Sequence, residues 1–188
     1  AQQLDDETKT SNNTYRVSTT YNYKFDARNT IRTGMIMSHL EFDFTFDEDQ
    51  GEGLVRFFDN QGEMQFFQAF AHWKHRFNED WTLNTGLHYS QLLLNNNYSI
   101  EPRAALSWQA SPKQKLSLAA GIHSRMEHPA AYLFDGTLPN GRVHTPARDL
   151  ELSKSLHTVL GYDYRIAENL RLKAELYYQY LYDVPIES

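Results

Sequence analysis

Apolar and polar residues alternate along most of this chain, and the alternation indicates β-strands. Between Tyr15 and Phe25, aromatic, valine and threonine residues take every second position, and most of the positions between them are polar. A period of two sends successive side chains to opposite faces of an extended strand. The same pattern predicts eight strands, at about 14–25, 30–46, 64–77, 81–94, 100–109, 115–125, 150–166 and 170–182. It predicts no helix of any length.

The connections between the predicted strands are alternately short and long. Short turns are predicted at 26–29, 78–80, 111–114 and 167–169, where Asp, Asn, Pro and Ser residues favour tight reversals. Longer loops are predicted at 47–63 and at 127–148, and residues 1–13 are predicted to be a loop. The sequence therefore predicts an antiparallel up-and-down sheet or barrel, with tight turns at one end and mostly long loops at the other.

Alternation alone does not tell which face of the sheet contacts water, because a soluble barrel buries its apolar face and a membrane barrel turns that face to lipid. The predicted strands are roughly 11 to 17 residues long, which exceeds the 5 to 6 typical of soluble strands and suffices for a tilted membrane crossing. Aromatic residues also concentrate beside the tight turns, among them Phe25, Phe77, Trp81 and Trp108. Such a girdle is expected where a barrel meets the lipid headgroups. These features favour an all-β transmembrane barrel, and an aromatic-rich soluble sheet remains the alternative.

Composition removes several other classes of protein. The net charge of -6 is spread along the chain without a basic tract, so no nucleic-acid partner is expected. Cysteine is absent, which excludes disulfides and thiolate chemistry. No apolar run is long enough for a transmembrane helix, yet the mean hydropathy of -0.65 is compatible with membrane β-strands, whose lumen-facing positions are polar.

The polar positions of the strands indicate a wide barrel. They carry many charged or bulky side chains, namely Arg16, Lys24, Arg32, Glu41, His88, Glu101, Arg103, His123, His157, Arg171 and Lys173. A closed eight-stranded barrel has an interior only just wide enough for packed side chains, and so many charges there would need a dense network of ion pairs. We therefore expect residues 1–188 to form part of a larger barrel, with 47–63 and 127–148 as its extracellular loops.

Several stretches of the last three hairpins resemble one known family. They are Glu101 to Arg103 "EPR", Gly121 to Ser124 "GIHS", Leu160 to Tyr164 "LGYDY" and Tyr177 to Pro185 "YYQYLYDVP". Over about 81–187 the sequence resembles the barrel of TonB-dependent outer-membrane receptors, of the type common in Bacteroidetes that carries a carboxypeptidase-regulatory-like N-terminal domain.

The resemblance implies a roughly 22-stranded barrel in the bacterial outer membrane, filled by a separate plug domain. It also implies nutrient uptake powered by the TonB system through an N-terminal part, with membrane lipid, the plug, the remaining barrel strands and, in some receptors, a surface lipoprotein as partners. The sequence departs from the family pattern because it contains no plug, no TonB box and too few strands. The function expected is that of a receptor barrel fragment. The alternatives are a self-contained small outer-membrane barrel with a structural or adhesive role and a soluble lipocalin-like binding protein.

No catalytic motif is present, so an enzyme is not expected, and no cofactor is predicted. Two groups of residues are candidates for contact with a solute. The first is expected to face the lumen and contains His88, Glu101, Arg103, His123 and His157. The second is expected to be exposed on the extracellular loop and contains Tyr132, Phe134, Arg142 and His144. No metal site is predicted, because a hydrogen-bonded lumen wall explains the first group.

Overall fold

The computed structural model describes residues 7–49, 54–133, 136–137, 143–144 and 148–184. Eight long strands form one sheet in the order β1-β2-β3-β4-β5-β6-β9-β10. Their bounds are β1 Glu7–Lys24, β2 Asn29–Asp49, β3 Leu54–Arg76, β4 Trp81–Leu92, β5 Asn97–Ser111, β6 Gln114–Arg125, β9 Ser153–Ala167 and β10 Leu170–Tyr182. A short helix, α1 Pro129–Leu133, and a two-stranded ribbon of β7 Gly136–Thr137 and β8 Val143–His144 lie between β6 and β9.

The predicted all-β, antiparallel, up-and-down arrangement is confirmed. Every neighbouring pair of strands in the large sheet is antiparallel. Because each strand pairs with the next long strand of the chain, every long strand reverses direction through a hairpin or through the segment 126–152. Within the described part of the chain, no helix is long and apolar enough to cross a membrane.

The first three strands are longer than predicted. Strand β1 begins at Glu7, so residues 7–13 are strand and not loop. Strand β2 continues to Asp49 and β3 begins at Leu54, so most of 47–63 is also strand. Pairs such as Thr10 with Phe44 hold these extensions together. The prediction was wrong here because a mainly polar strand loses the apolar alternation, while its backbone hydrogen bonds to the neighbouring strand still form.

The two faces of the sheet differ in composition and in exposure. On β5, Ile100, Leu106 and Trp108 point to one face and are exposed, whereas Ser99 and Glu101 point to the other and are buried. Directly paired residues of neighbouring strands share a face, so the face of each residue on β5 also gives the face of its partners on the other strands. We call the apolar, exposed side the outer face and the polar side the inner face. The inner face is concave, because one trough there is lined by residues of seven strands, from β1 to β9.

At the end with the longer connections, the inner face carries a small apolar core. Met64, Leu92, Tyr132 and Leu152 are buried against one another. Residues 126–133, which contain α1, fold inward to complete this core, and Leu133 approaches Gly62 so closely that a side chain there would collide with it. The prediction for β2 was wrong in this region. Ile36, Leu40, Phe42, Phe44 and Phe46 lie on the inner face. Glu41, expected among the lumen charges, lies on the outer face.

The tight turns are closed by local side-chain caps. In the turn between β1 and β2, the Asp26 carboxylate accepts hydrogen bonds from the backbone N–H groups of Arg28, at 2.6 Å, and Asn29, at 2.8 Å. The Asn29 side chain and these N–H groups favour the charged carboxylate and hold the pKa of Asp26 below its ordinary value. At the next turn, the Asn78 side chain accepts from the backbone N–H groups of Asp80 and Trp81 in the same manner.

Candidate functional site

All five residues predicted to face the lumen lie on the inner face, and they form two groups. His88 on β4 is directly opposite Glu101 on β5, and Arg103 follows two positions later on the same side. His123 on β6 pairs with Ser155, and His157 pairs with Gly121 on the same strand. The strand pairing therefore brings together residues that are far apart in sequence. Their role in contacting a solute stays a prediction.

Glu101 is the centre of the first group and is only 1% exposed. Its Oε1 accepts hydrogen bonds from the hydroxyls of Ser90, at 3.0 Å, and Ser124, at 2.5 Å. Its Oε2 accepts from the Arg103 guanidinium at 2.5 Å and lies 3.2 Å from Nδ1 of His88. A carboxylate with this many partners is stabilised in its buried position, and it holds the guanidinium end of the Arg103 side chain.

The second group is a stack of rings. The His123 and His157 rings have their centroids 4.6 Å apart, and the Tyr177 ring meets His157 edge to face at 5.4 Å. His157 is held on both nitrogens, with its Nε2 2.8 Å from the Ser155 hydroxyl and its Nδ1 2.9 Å from the Tyr177 hydroxyl. The ring of His157 therefore has a fixed orientation on the inner face, and the ring of His123 packs against it.

One row of directly paired residues crosses the entire inner face. From β1 to β10 it consists of Asn22, Arg32, His72, Gly86, Arg103, Gly121, His157 and Gln179. The two glycines make room for long neighbours. A Cβ at Gly86 would lie 2.4 Å from Nδ1 of His72, and one at Gly121 would lie 2.9 Å from Cγ of Arg103.

This row crosses the trough of the inner face, whose volume is about 670 Å³. Its floor includes the small residues Gly86, Ala105, Ala119 and Gly121. Its cationic lining residues are Arg32, Lys74 and Arg103, accompanied by His72, His123 and His157. No Asp or Glu is among the described lining residues, although the whole chain has a net charge of -6. We call this feature the basic trough.

Sequence reasoning placed Arg32 on the polar face but did not single out His72 or Lys74. The pattern of the third strand directed attention to the apolar residues Phe67 to Phe77, because they dominate its hydropathy. Counting back from the tight turn 77–80 would have placed His72 and Lys74 on the face of Asn84. In the portion of the chain that the structure describes, no three His, Asp or Glu residues are arranged to hold a metal ion.

The candidates on the long loop have different outcomes. The exposure expected of Tyr132 was wrong, since its side chain is fully buried in the apolar core and its hydroxyl accepts a hydrogen bond from the Glu127 backbone N–H at 3.2 Å. Burial raises the pKa of this phenol. Phe134 and Arg142 lie outside the described residues. His144 belongs to β8, where the structure describes only the backbone. Ligand contact by these residues stays a prediction.

Three solved structures share the fold of this chain. A copper transporter, OprC, matches 90% of this chain with a TM-score of 0.70 and 14% identity, over 30% of its own length. The siderophore receptor PirA from Acinetobacter baumannii matches 92% with a TM-score of 0.67 and 9% identity, over 27% of its length. The RagAB peptide transporter matches 97% with a TM-score of 0.63 and 12% identity, over 25% of its length. No family model and no curated protein sequence matches the chain.

These neighbours define the structural class of the chain. They are TonB-dependent receptors and transporters, and the matched regions are parts of much longer proteins. At 9 to 14% identity, the likeness is one of fold. The chain is thus an eight-stranded antiparallel sheet of the kind found in such proteins, and it spans less than a third of the length of each.

Proposed function

We propose that this chain forms an arc of the barrel wall of a TonB-dependent receptor in the bacterial outer membrane and that it has no catalytic role. In this proposal the inner face lines the lumen, and the outer face contacts lipid. The receptor imports a nutrient with energy from the TonB system, a plug domain fills the lumen, and other strands complete the barrel. The likeness in fold to OprC, PirA and RagAB supports this assignment.

The observation that carries the proposal is an unbroken apolar row on the outer face. It crosses five strands and consists of Leu83, Leu106, Leu118, Leu160 and Leu176. Leu118 is 53% exposed and Leu176 is 70% exposed. Soluble proteins rarely expose a continuous apolar surface of this kind, because each buried Å² of it would contribute about 25 cal/mol. Hydrocarbon chains of a bilayer would cover the row without cost.

An aromatic row beside the tight turns supports a membrane boundary at that end. Trp81 and Trp108 stack with ring centroids 5.3 Å apart, and Tyr162 lies on the same face two strands further along. Tyr162 and Tyr164 also stack, at 6.3 Å. Rings with a polar edge favour the headgroup layer, so this end corresponds to the periplasmic boundary of the proposed barrel.

The same orientation places the opposite end of the sheet outside the cell. There β2 and β3 extend past the end of β4, since Leu92 already pairs with Phe66 while β3 begins at Leu54. We assign this extension and the segment 127–148 to the extracellular side, where Phe134, Arg142 and His144 remain candidates for contact with a solute. A surface lipoprotein would contact the receptor on this side, as the resemblance of the sequence to the receptor family implies.

The strand order favours the hypothesis that the chain is part of a wider barrel wall and disfavours a self-contained barrel. Within the described residues, β1 and β10 are the two edges of the sheet and do not pair with each other. Open edges are not tolerated in hydrocarbon, because their N–H and C=O groups would lack partners. Further strands beside β1 and β10 would satisfy these groups.

The faces can be tested with two adjacent substitutions on β6. Leu118→Lys would place a charge on the outer face, whereas Ser117→Lys would place the same charge on the inner face. At the bilayer midplane a lipid-facing lysine costs about 2 to 4 kcal/mol, and a lumen-facing one costs little. In the complete barrel that the proposal assigns to this chain, we expect Leu118→Lys to reduce folding into lipid vesicles, measured as protection from protease, and Ser117→Lys to fold nearly as the parent does. Equal folding of both variants would refute the proposed orientation.

A further inference from the structure

From the distribution of charge on the inner face, we propose that the basic trough binds the imported solute and that this solute is a compact polyanion with two or more carboxylate or phosphate groups. The inference rests on the proposed function for the import of a solute through the lumen. The charge of the solute is argued from the side chains of the inner face alone.

Cations dominate the inner face between the trough and the tight turns. Strand pairing assigns them to this face, and they are Lys24, Arg32, Lys74, Arg76, Arg103, Lys115, Arg165, Arg171 and Lys173. Among the described residues, the only carboxylates on the same part of the face belong to Asp163 and Glu175, which contact Arg171 and Lys173. This part of the inner face is therefore cationic, although the whole chain has a net charge of -6.

The acidic residues of the neighbouring strands lie on the other side of the sheet. Glu41, Asp43 and Glu63 are on the outer face of β2 and β3, beyond the end of β4. A cavity lined by charges of one sign and surrounded by a medium of low dielectric constant raises the local concentration of ions of the opposite sign. The inner face would therefore attract anions and repel cations.

Two cations of the trough have no acidic partner on this sheet. Within the described part of the chain, neither Arg32 nor Lys74 forms an ion pair, and both side chains are exposed. Arg32 lies over the Phe70 ring, with its guanidinium carbon 5.9 Å from the ring centre. Both charges are therefore available to an anion that enters the trough.

Arg103 has only part of its hydrogen-bonding capacity satisfied by the sheet. One terminal nitrogen donates to Glu101, while Nε is buried without a hydrogen-bond partner. The side chain is 33% exposed. The rings of His72 and His123 line the trough on the two sides of Arg103, and their N–H groups would supply further donors. A carboxylate or phosphate beside Arg103 would accept several charge-assisted hydrogen bonds.

The positions of these groups set the charge and the size of the solute. Lys74 lies one step along β3 from His72, about 7 Å away, and Arg32 pairs with His72 directly. Arg103 is two strands beyond His72, about 10 Å away between the backbones. One anionic group therefore fits beside Arg103, and a second fits between Arg32 and Lys74. The trough volume of about 670 Å³ is that of an ordinary pocket for a small ligand.

The floor of the trough allows such a solute to approach the cations closely. Gly86, Ala119 and Gly121 project little or no side chain into it. Asn22 and Asn84 also line the trough, and their amides can bind hydroxyl or carboxylate groups. The lining thus combines fixed positive charge, neutral hydrogen-bonding groups and open space, which fits a hydrophilic polyanion.

The experiment uses the complete receptor that contains this chain, purified in detergent, and four small probes: citrate, pyrophosphate, glucose and putrescine. Isothermal titration calorimetry reports binding in buffer of low ionic strength, where charges are weakly screened. We expect saturable binding of citrate or pyrophosphate that weakens with added salt, and no saturable binding of glucose or putrescine. Comparison of the two anions distinguishes a carboxylate solute from a phosphate solute.

The variant Arg32→Gln/Lys74→Gln removes two positive charges from the trough. The matched control, Arg28→Gln/Lys113→Gln, removes the same charge from two tight turns outside it. We expect about a tenfold loss of affinity for the anion in the trough variant and less than a twofold change in the control. Lys74→Gln alone, on an exposed side chain, should give an intermediate loss if the double variant fails to fold.

Equal affinity of the trough variant and the control would overturn the proposal. It would also be overturned if neither anion binds, or if glucose or putrescine binds as tightly as the anions do. The receptor proposal fails differently, namely if the complete protein does not fractionate with the outer membrane. In that case the titrations still decide whether the trough prefers anions, because they use the purified protein.

Discussion

The buried carboxylate of Glu101 offers the sharpest test of how the inner wall is held together. Glu101→Ala removes the acceptor shared by Ser90, His88, Arg103 and Ser124. A buried ion pair broken from one side costs about 3 to 5 kcal/mol, because the remaining charge is left without compensation. Arg103 is partly exposed, so water recovers some of this energy. We expect a net loss of about 2 to 4 kcal/mol.

The free energy of unfolding is measured by urea titration of the protein in detergent, with tryptophan fluorescence as the signal. Trp108 lies on the same strand as Glu101, and Trp73 on β3 and Trp81 on β4 contribute to the same signal, which reports the loss of the sheet. The control is Glu175→Ala on β10, where a half-exposed carboxylate contacts Lys173 at 2.7 Å. An exposed ion pair contributes about 0 to 1 kcal/mol, so this variant should unfold nearly as the parent does.

A double-mutant cycle of Glu101→Ala with Arg103→Ala isolates the direct interaction. We expect the two substitutions to be non-additive by about 1 to 3 kcal/mol, since each removes the same contact. If Glu101→Ala and Glu175→Ala destabilise the protein equally, the reasoning is refuted. The cluster would then be a set of solvated side chains and not a fixed part of the wall.

Two further pairs of substitutions test close packing. Gly86→Val should destabilise the sheet by about 1 to 3 kcal/mol in the same urea assay. The new Cβ would lie 2.4 Å from the His72 ring and 2.7 Å from the Ala71 backbone oxygen. The control Ala105→Val adds methyl groups to the open trough and should be tolerated. Tyr132→Ala should expose residues 126–133 to cleavage in limited proteolysis, because it removes the side chain at the centre of the apolar core. In Tyr132→Phe the ring is kept, and this segment should remain protected from cleavage. Equal cleavage of the two Tyr132 variants would show that this segment is not held by the core.

The alternating pattern was sufficient for the number and order of the main strands. A strand such as β10 repeats leucines and tyrosines against charged residues, and this period cannot be accommodated by a helix. Short turns such as the one capped by Asp26 require the two strands that they connect to pair as an antiparallel hairpin. Strand order, antiparallel direction and the inner position of Glu101 followed from these local features.

The alternating pattern gave wrong predictions where a strand is polar on both faces or where apolar residues lie on the inner face. The first residues of β1 are polar on both faces, so only pairing with β2 shows that they are strand. Phe42 of β2 lies on the inner side in contact with His128, and Tyr132 of α1 is buried in the apolar core, because residues 126–133 fold inward, which no local period can signal. Apolar residues on the polar face there belong to a core formed by distant segments.

The sequence by itself thus determined which segments extend and which residues share a face within each strand, because these properties depend on local geometry with a period of two. Only the tertiary structure decided which residues of different strands are opposite one another, since register is set by the pairing of whole strands. It is this register that aligns Arg32, His72 and Arg103 in one row and places Gly86 and Gly121 on the two sides of Arg103. The basic trough exists because residues up to 137 positions apart along the chain, from Asn22 to Val159, lie on one concave wall.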